Sequence, residues 1–198
     1  EVTHADGTKT IVDVGGIDTI DSGDGDDIII GGRFGDTIRG RNGDNIVFGD
    51  SGHILAATVD SLAGQLHFDG QPITLGRVAT IEDTDGGVDT IRTLTGYDIV
   101  LGGHGGDEIS VSLMNDLTDL TLESADVAAD DSNIVFGDTG YIDYDDDLDA
   151  GGVNPDDIDE IASTTTVPTE VTHADGSTSI VDVGGADTID SGDGDDII

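Results

Sequence analysis

The sequence contains no cysteine and no tryptophan, and it has only six lysine and arginine residues against 44 aspartate and glutamate residues. The lack of cysteine excludes a disulfide framework. Aromatic residues make up only 4% of the chain, which excludes a large aromatic core. A formal net charge of -38 argues against a nucleic-acid partner, because the phosphate backbone would be repelled. No apolar run is long enough to cross a membrane, so we expect no membrane insertion.

The composition also opposes spontaneous folding. Self-repulsion between carboxylates disfavours a compact state, and 31 glycines raise the entropy that is lost on ordering. We therefore expect the chain to be largely unfolded without counter-ions. A cation that neutralised the carboxylates and cross-linked the backbone would make ion binding and folding one event.

Four nonapeptides in unbroken register fill residues 13–48: DVGGIDTID, SGDGDDIII, GGRFGDTIR and GRNGDNIVF. Glycine dominates the first four places, an aspartate or asparagine holds the sixth, and an aliphatic residue holds the eighth. The same register returns in TDGGVDTIR, TLTGYDIVL and GGHGGDEIS at residues 84–110, and again in AADDSNIVF at residues 128–136. A fixed period of this kind indicates a repeat architecture.

The period predicts a parallel solenoid. The glycine-rich half of each nonapeptide turns, and the other half is a short strand whose middle residue points inward. Two nonapeptides close one coil, so alternate loops stack, which pairs Asp18 with Asp36 and Asp27 with Asn45. The carboxylate at place six then meets carbonyl oxygens of the stacked loop, a donor set that suits Ca²⁺.

This arrangement predicts several Ca²⁺ ions per chain, held by side chains at place six and by glycines of the loops. The predicted metal-binding side chains are those of Asp18, Asp27, Asp36, Asn45, Asp89, Asp98, Asp107, Asn133, Asp187 and Asp196. The predicted loop glycines are Gly23, Gly25, Gly32, Gly43, Gly103 and Gly105. Asn45 and Asn133 lack a charge, so their positions are expected to bind more weakly.

At these nonapeptides the chain resembles the RTX family of calcium-binding β-rolls. The resemblance covers about half of the residues and implies a secreted, extracellular or cell-surface protein of bacterial origin. Two loop positions depart from the family pattern, because Phe34 stands at a fourth place and Arg41 at a second place. We expect an all-β fold, a right-handed parallel β-roll (a β-solenoid) with two β-rich excursions.

The nonapeptides and the segments between them give the domain organisation. It comprises residues 1–12, a hairpin that ends a preceding excursion; 13–48, a β-roll; 49–83, a β-rich excursion; 84–136, a β-roll with degenerate coils at 111–127; 137–181, an acidic excursion that ends in a hairpin; and 182–198, the start of the next β-roll. Residues 111–127 remain ambiguous, because Leu113, Leu117 and Leu120 have helical spacing whereas LTDLTLES alternates like a strand.

The end of the sequence repeats its beginning. Residues 170–198 match residues 1–29 at 25 of 29 positions, an offset of 169 residues. We interpret the chain as a window from a tandem array of such units, with a single duplicated edge segment as the alternative. A weaker internal doubling is visible in NIVFGDSG at Asn45 and NIVFGDTG at Asn133.

Places seven and nine, which face outward, differ between the two sheets of the predicted roll. One sheet carries polar residues such as Thr19 and Arg39, and the other carries Ile28, Ile46 and Phe48. An exposed apolar sheet would form a large patch. We predict that the excursions cover it, with a neighbouring subunit as the alternative.

We expect no enzymatic activity. Asp50-Ser51-Gly52 and Asp138-Thr139-Gly140 look like the paired motifs of aspartic proteases. However, both lie where a predicted roll passes into an excursion, and their repeated position explains them without catalysis. The five histidines have no zinc spacing.

Three classes of function remain open. The 169-residue repeat favours a calcium-binding structural segment of a secreted fibre, adhesin stalk or matrix protein that self-associates into filaments or arrays. The alternative is a calcium-triggered folding and secretion module of an RTX enzyme or toxin. A ligand-binding module built on the excursions is the third.

Overall fold

A computed structural model gives the architecture. It describes residues 2–3, 9–10, 15–57, 75–82, 85–111, 132–144, 158–164, 169–172, 176–181, 184–192 and 195–198. All regular structure within these ranges is β-strand, which confirms the predicted all-β class. No helix of the described part is long and apolar enough to cross a membrane. The ambiguous stretch at 112–127 and the acidic run at 145–149 lie outside the described residues.

Two parallel sheets are built from the nonapeptides. The first contains β3 (Thr19–Asp21), β5 (Thr37–Arg41), β9 (Thr90–Thr93), β11 (Glu108–Ser110) and β17 (Thr188–Asp190), in the order β17-β11-β9-β5-β3. The second contains β4 (Ile28–Ile30), β6 (Ile46–Phe48), β10 (Ile99–Leu101) and β12 (Ile134–Phe136), in the order β12-β10-β6-β4. Successive nonapeptides therefore contribute alternately to the two sheets.

The register of these sheets follows the nonapeptide places. Ile20 lies opposite Ile38 and Ile29 opposite Val47, so equal places pair. The place-eight residues form one cluster between the sheets. Its buried members from that place are Ile29, Ile38, Val47, Ile91, Val100, Ile109 and Val135. This inward position agrees with the prediction, because the middle residue of a three-residue strand faces away from both of its neighbours.

A third, antiparallel sheet comes from the two excursions. It contains β7 (Gly52–Ala56), β8 (Leu75–Thr80), β13 (Gly140–Asp143) and β14 (Glu160–Ser163), in the order β14-β13-β8-β7. Two short hairpins also occur, β1 (Val2–Thr3) with β2 (Lys9–Thr10), and β15 (Thr169–Thr172) with β16 (Thr178–Val181). Both hairpins were expected from the repeated sequence EVTHADG.

The third sheet covers the apolar outer face of the second. Ile46, Phe48 and Leu101 are fully buried and pack with Val78 and Ile142 of the third sheet. The prediction that the excursions cover this face is confirmed for the part of the chain described here. Ile30, at the end of the stack, remains 46% exposed.

Most of the loop turns have left-handed backbone at places two and four. Gly25 and Gly43 have φ angles of 122° and 128°. Phe34 and Arg41, which replace glycine at these places, keep the left-handed conformation with φ angles of 73° and 58°. These two departures from glycine therefore leave the turn geometry in place, although a side chain with a Cβ is disfavoured in this region.

A Gly43→Ala substitution is expected to destabilise the fold more than Gly25→Ala. Both glycines hold place four with nearly equal φ angles, but a Cβ on Gly43 would collide with the backbone of Gly25 in the stacked loop, whereas nothing lies within 4 Å of a Cβ on Gly25. Denaturant unfolding in Ca²⁺ measures the difference, which we expect to exceed about 1 kcal/mol. Equal losses would contradict the close stacking of the loops.

Candidate metal centres

The place-six residues form two columns, one at each loop edge. The first column is Asp18, Asp36, Asp89, Asp107 and Asp187, and the second is Asp27, Asn45, Asp98, Asn133 and Asp196. In the first column each backbone N–H donates to Oδ1 of the next aspartate, at 2.7, 2.6, 2.8 and 2.8 Å. The second column repeats this ladder at 3.2, 2.9, 3.0 and 2.8 Å. The structure thus brings the ten predicted side chains together as stacked neighbours.

The second carboxylate oxygen has no such partner. Oδ2 of Asp36, Asp89 and Asp107 is buried without a hydrogen bond, and these residues are at most 2% exposed. Oδ2 of Asp27 and Asp98 is in the same situation in the second column. A buried oxygen without a hydrogen bond destabilises the folded state, so we expect each of these atoms to bind a ligand.

Backbone carbonyl oxygens share the space around these orphan atoms. A Cβ on Gly49 would collide with both Asp89 Oδ2 and the carbonyl oxygen of Gly102. The same pairing recurs for Gly102, which faces Asp107 Oδ2 and the carbonyl of Gly137. The Oδ2 atoms have no donor, whereas the carbonyls of Gly102 and Gly137 each accept one N–H bond, from Asp50 at 3.3 Å and from Gly103 at 3.1 Å, and keep a second lone pair. A hard cation is the group that carboxylate and carbonyl oxygens of this kind bind together. The residues present therefore fit Ca²⁺.

The pKa values of the buried aspartates in both columns also favour a bound cation. Burial raises the pKa of Asp89 to about 8, and the nearby carboxylates of Asp50 and Asp107 add to the rise. Burial also raises the pKa of Asp107 and of Asp98 in the second column to about 7. The ionised forms are thus disfavoured without a counter-charge, and a bound cation would restore them.

The predicted glycines lie in the stacked loops, but the carbonyls beside the orphan oxygens belong to other residues. Gly32 and Gly103 donate their N–H groups to the carbonyls of Gly49 and Gly137, both at 3.1 Å. Gly25 and Gly43 donate to the carbonyls of Asn42 and Thr95 at 2.8 and 2.7 Å. Gly23 and Gly105 have left-handed φ angles of 94° and 133°.

The carbonyls beside the orphan oxygens belong to Gly49, Gly102 and Gly137. These glycines hold place one of their nonapeptides, and the sequence analysis did not select that place.

The asparagines give the second column a different chemistry. Nδ2 of Asn45 donates to Asp98 Oδ1 at 2.9 Å and to the carbonyl of Gly43 at 2.8 Å. Nδ2 of Asn133 donates to Asp196 Oδ1 at 3.2 Å. An amide nitrogen does not ligate a cation, so hydrogen bonds take over part of the cross-linking at these two levels. Weaker metal binding at these two levels stays a prediction.

Asp50 is a buried acidic residue that the sequence did not identify as structurally important. It is 3% exposed and accepts N–H bonds from Gly87 at 3.0 Å and from His104 at 2.5 Å. It therefore ties the start of the first excursion to two later loops. The recurrence of Gly-Asp as Gly137-Asp138 was the available signal, and Asp138 lies against Gly184 in the corresponding place.

Within the described residues, no group of three or more histidine, cysteine or acidic side chains converges on one point. Each position instead combines single carboxylates from stacked loops with main-chain oxygens. Comparison with protein-family models, with curated proteins and with solved structures finds no match. The assignment of the metal centres therefore rests on the geometry of this chain.

An Asp89→Asn substitution is expected to have opposite effects with and without calcium. In chelator it removes a buried carboxylate and supplies an N–H donor beside the Gly102 carbonyl, so the residual β-structure should increase. In calcium it removes a ligand charge, so the midpoint of calcium-induced folding should increase at least about threefold. Circular dichroism during a Ca²⁺ titration measures both effects.

Asp21→Asn is the control for this experiment. Asp21 holds outward place nine and pairs with Arg41 Nε at 2.6 Å on the surface. It should leave the calcium midpoint nearly unchanged. Equal shifts for the two variants would contradict the assignment of place six as the ligand position.

Proposed function

We propose that the two parallel sheets are the walls of a right-handed β-roll that binds Ca²⁺ along its two loop edges. Three features support this: alternate nonapeptides pair in one sheet, equal places lie in register, and the place-eight residues fill the space between the sheets. The excursions then form a third layer on one wall.

The function we propose is that of a calcium-binding structural repeat in a secreted extracellular fibre, adhesin stalk or matrix protein. The observation that carries it is the column of orphan oxygens of Asp36, Asp89 and Asp107, which is regular, buried and lined by carbonyls. A column of this kind would bind a row of ions along one axis. The 169-residue sequence repeat supports a structural use, because a solenoid gains length with each copy.

The ions would act as cross-links between stacked loops. Each ion would lie between a place-six carboxylate and main-chain oxygens, so it would neutralise charge and join coils that are distant in sequence. Extracellular Ca²⁺ modules commonly bind with dissociation constants of about 10⁻⁴ to 10⁻³ M. With such affinities the chain would stay unfolded at cytosolic calcium levels and would fold after export.

Negative-stain electron microscopy of the tandem protein tests this function. We expect long, straight filaments in millimolar Ca²⁺ and their loss in chelator. Isolated short particles in Ca²⁺ would contradict a structural fibre, and would favour a folding and secretion module. Filaments of unchanged form in chelator would contradict the role of calcium.

A further inference from the structure

One nonapeptide pair occurs twice in this chain, with different neighbours each time. At one end of the stack, β3 pairs with β5, and its other edge is free within the described residues. The copy of this segment contains β17, which pairs with β11 on the side that is free in β3. Together the two copies show both neighbours that this segment would have inside an array.

The segment that contains β17 makes the same kinds of hydrogen bond with its neighbour as the other nonapeptides of the stack make with theirs. Asp107 N–H donates to Asp187 Oδ1 at 2.8 Å, and Val111 N–H donates to the carbonyl of Asp190 at 3.0 Å. In the second sheet, Val135 N–H donates to the carbonyl of Ile197 at 2.8 Å. The place-six ladder and the strand pairing thus continue from one 169-residue unit into the next.

Within the described residues, each of the three sheets contains four strands per unit. From β3 up to β17, the first sheet has β3, β5, β9 and β11; the second has β4, β6, β10 and β12; and the third has β7, β8, β13 and β14. Neighbouring strands lie about 4.8 Å apart, so four strands advance each sheet by about 19 Å. The third sheet therefore advances along the stack by the same distance per unit as the first and second sheets.

The outer strands of the third sheet have suitable free edges. Within the described residues, β14 and β7 each pair on one side only. Strand direction alternates along the sheet, so a following β7 would be antiparallel to β14. A groove of about 370 Å³ lies at this edge, lined among others by Ile161, Ser163, Ile197 and Ile198. Ile198 is 72% exposed in it.

We propose that β14 of one unit pairs along its free edge with β7 of the following unit, so that all three sheets run without interruption through the array. This inference rests on the proposed structural function and identifies its partner as a second copy of the same repeat. The array would then be one stiff rod that rises by about 19 Å per unit. Separate globular domains of this length would each have a diameter of about 40 Å.

The test compares this chain with the same chain extended by one 169-residue unit, both in millimolar Ca²⁺. Small-angle X-ray scattering gives the maximum dimension of each. We expect an increase of no more than about 19 Å, which is the rise of one unit along the stack. An increase of about 40 Å or more would overturn the proposal, because it would mean that units form separate bodies.

Amide exchange of the extended chain, with one unit isotopically labelled, tests the β14–β7 contact itself. Thr164 N–H points toward β13, because it donates to the Thr139 carbonyl at 2.9 Å. The direction of the N–H groups alternates along a strand, so those of Ile161 and Ser163 point toward the free edge of β14. These two amides should exchange at least about tenfold more slowly in the first unit than in the last, whose β14 has no following β7. Equal rates would overturn the pairing. If folding depends on calcium but the exchange rates in the two units are equal, the proposed function stands and only the β14–β7 pairing is wrong. If folding does not depend on calcium, the proposed function is contradicted.

Discussion

Transfer of the folded chain from millimolar Ca²⁺ into chelator is expected to remove most of its β-structure. The chain carries a formal charge of -38, and its first column buries Asp36, Asp89 and Asp107, whose pKa values are all raised by that burial. One site held at ten times its dissociation constant stabilises the fold by about 1.4 kcal/mol. Several such sites together approach the whole stability of a typical domain, about 5–15 kcal/mol.

Far-UV circular dichroism measures this loss, with Mg²⁺ at equal ionic strength as the control. Mg²⁺ screens charge equally well, but it demands a tighter octahedral geometry and loses its water reluctantly. It should therefore restore much less structure than Ca²⁺. Identical spectra in chelator and in Ca²⁺ would contradict the coupling of folding to calcium.

An Ile46→Ala substitution is expected to lower the free energy of unfolding by about 2–5 kcal/mol in Ca²⁺. Ile46 is fully buried between the second sheet and the third, where it packs in the cluster with Phe48, Val78 and Ile142. The truncation would leave a cavity in the apolar cluster between the two sheets. Denaturant unfolding at fixed Ca²⁺ concentration gives the value.

Ile30→Ala is the matched control, because it removes the same atoms from the same sheet. Ile30 faces the same side but is 46% exposed at the end of the stack. Its loss should cost less than about 1 kcal/mol. Similar costs for the two variants would mean that the third sheet does not pack on the second in solution.

The sequence predicted those parts of the fold that follow from a local period. Ile38 and Val47 face the interior because they hold place eight, and Asp18 meets Asp36 because alternate loops stack. The cover over Ile46 and Phe48 could be predicted because an apolar outer face needs one. In each case the pattern and the physical requirement were both visible within a few nonapeptides.

The remaining features depend on contacts between distant segments. The pairing of β8 with β13 joins the two excursions, and no short pattern in either reveals the other. Asp50 reaches the loops of Gly87 and His104, which are more than thirty residues away. The carbonyls of Gly49 and Gly102 could not be selected either, because every residue has a carbonyl and only the folded loop directs it.

The most direct test of the central claim is anomalous X-ray diffraction from crystals of this chain grown in Ca²⁺. The account predicts anomalous peaks in the first column, beside Oδ2 of Asp36, Asp89 and Asp107, each within ligand distance of a main-chain carbonyl oxygen, about 2.3–2.6 Å. Peaks should be weaker next to Asn45 and Asn133. A well-ordered column without anomalous density at millimolar Ca²⁺ would contradict the claim that calcium builds this fold.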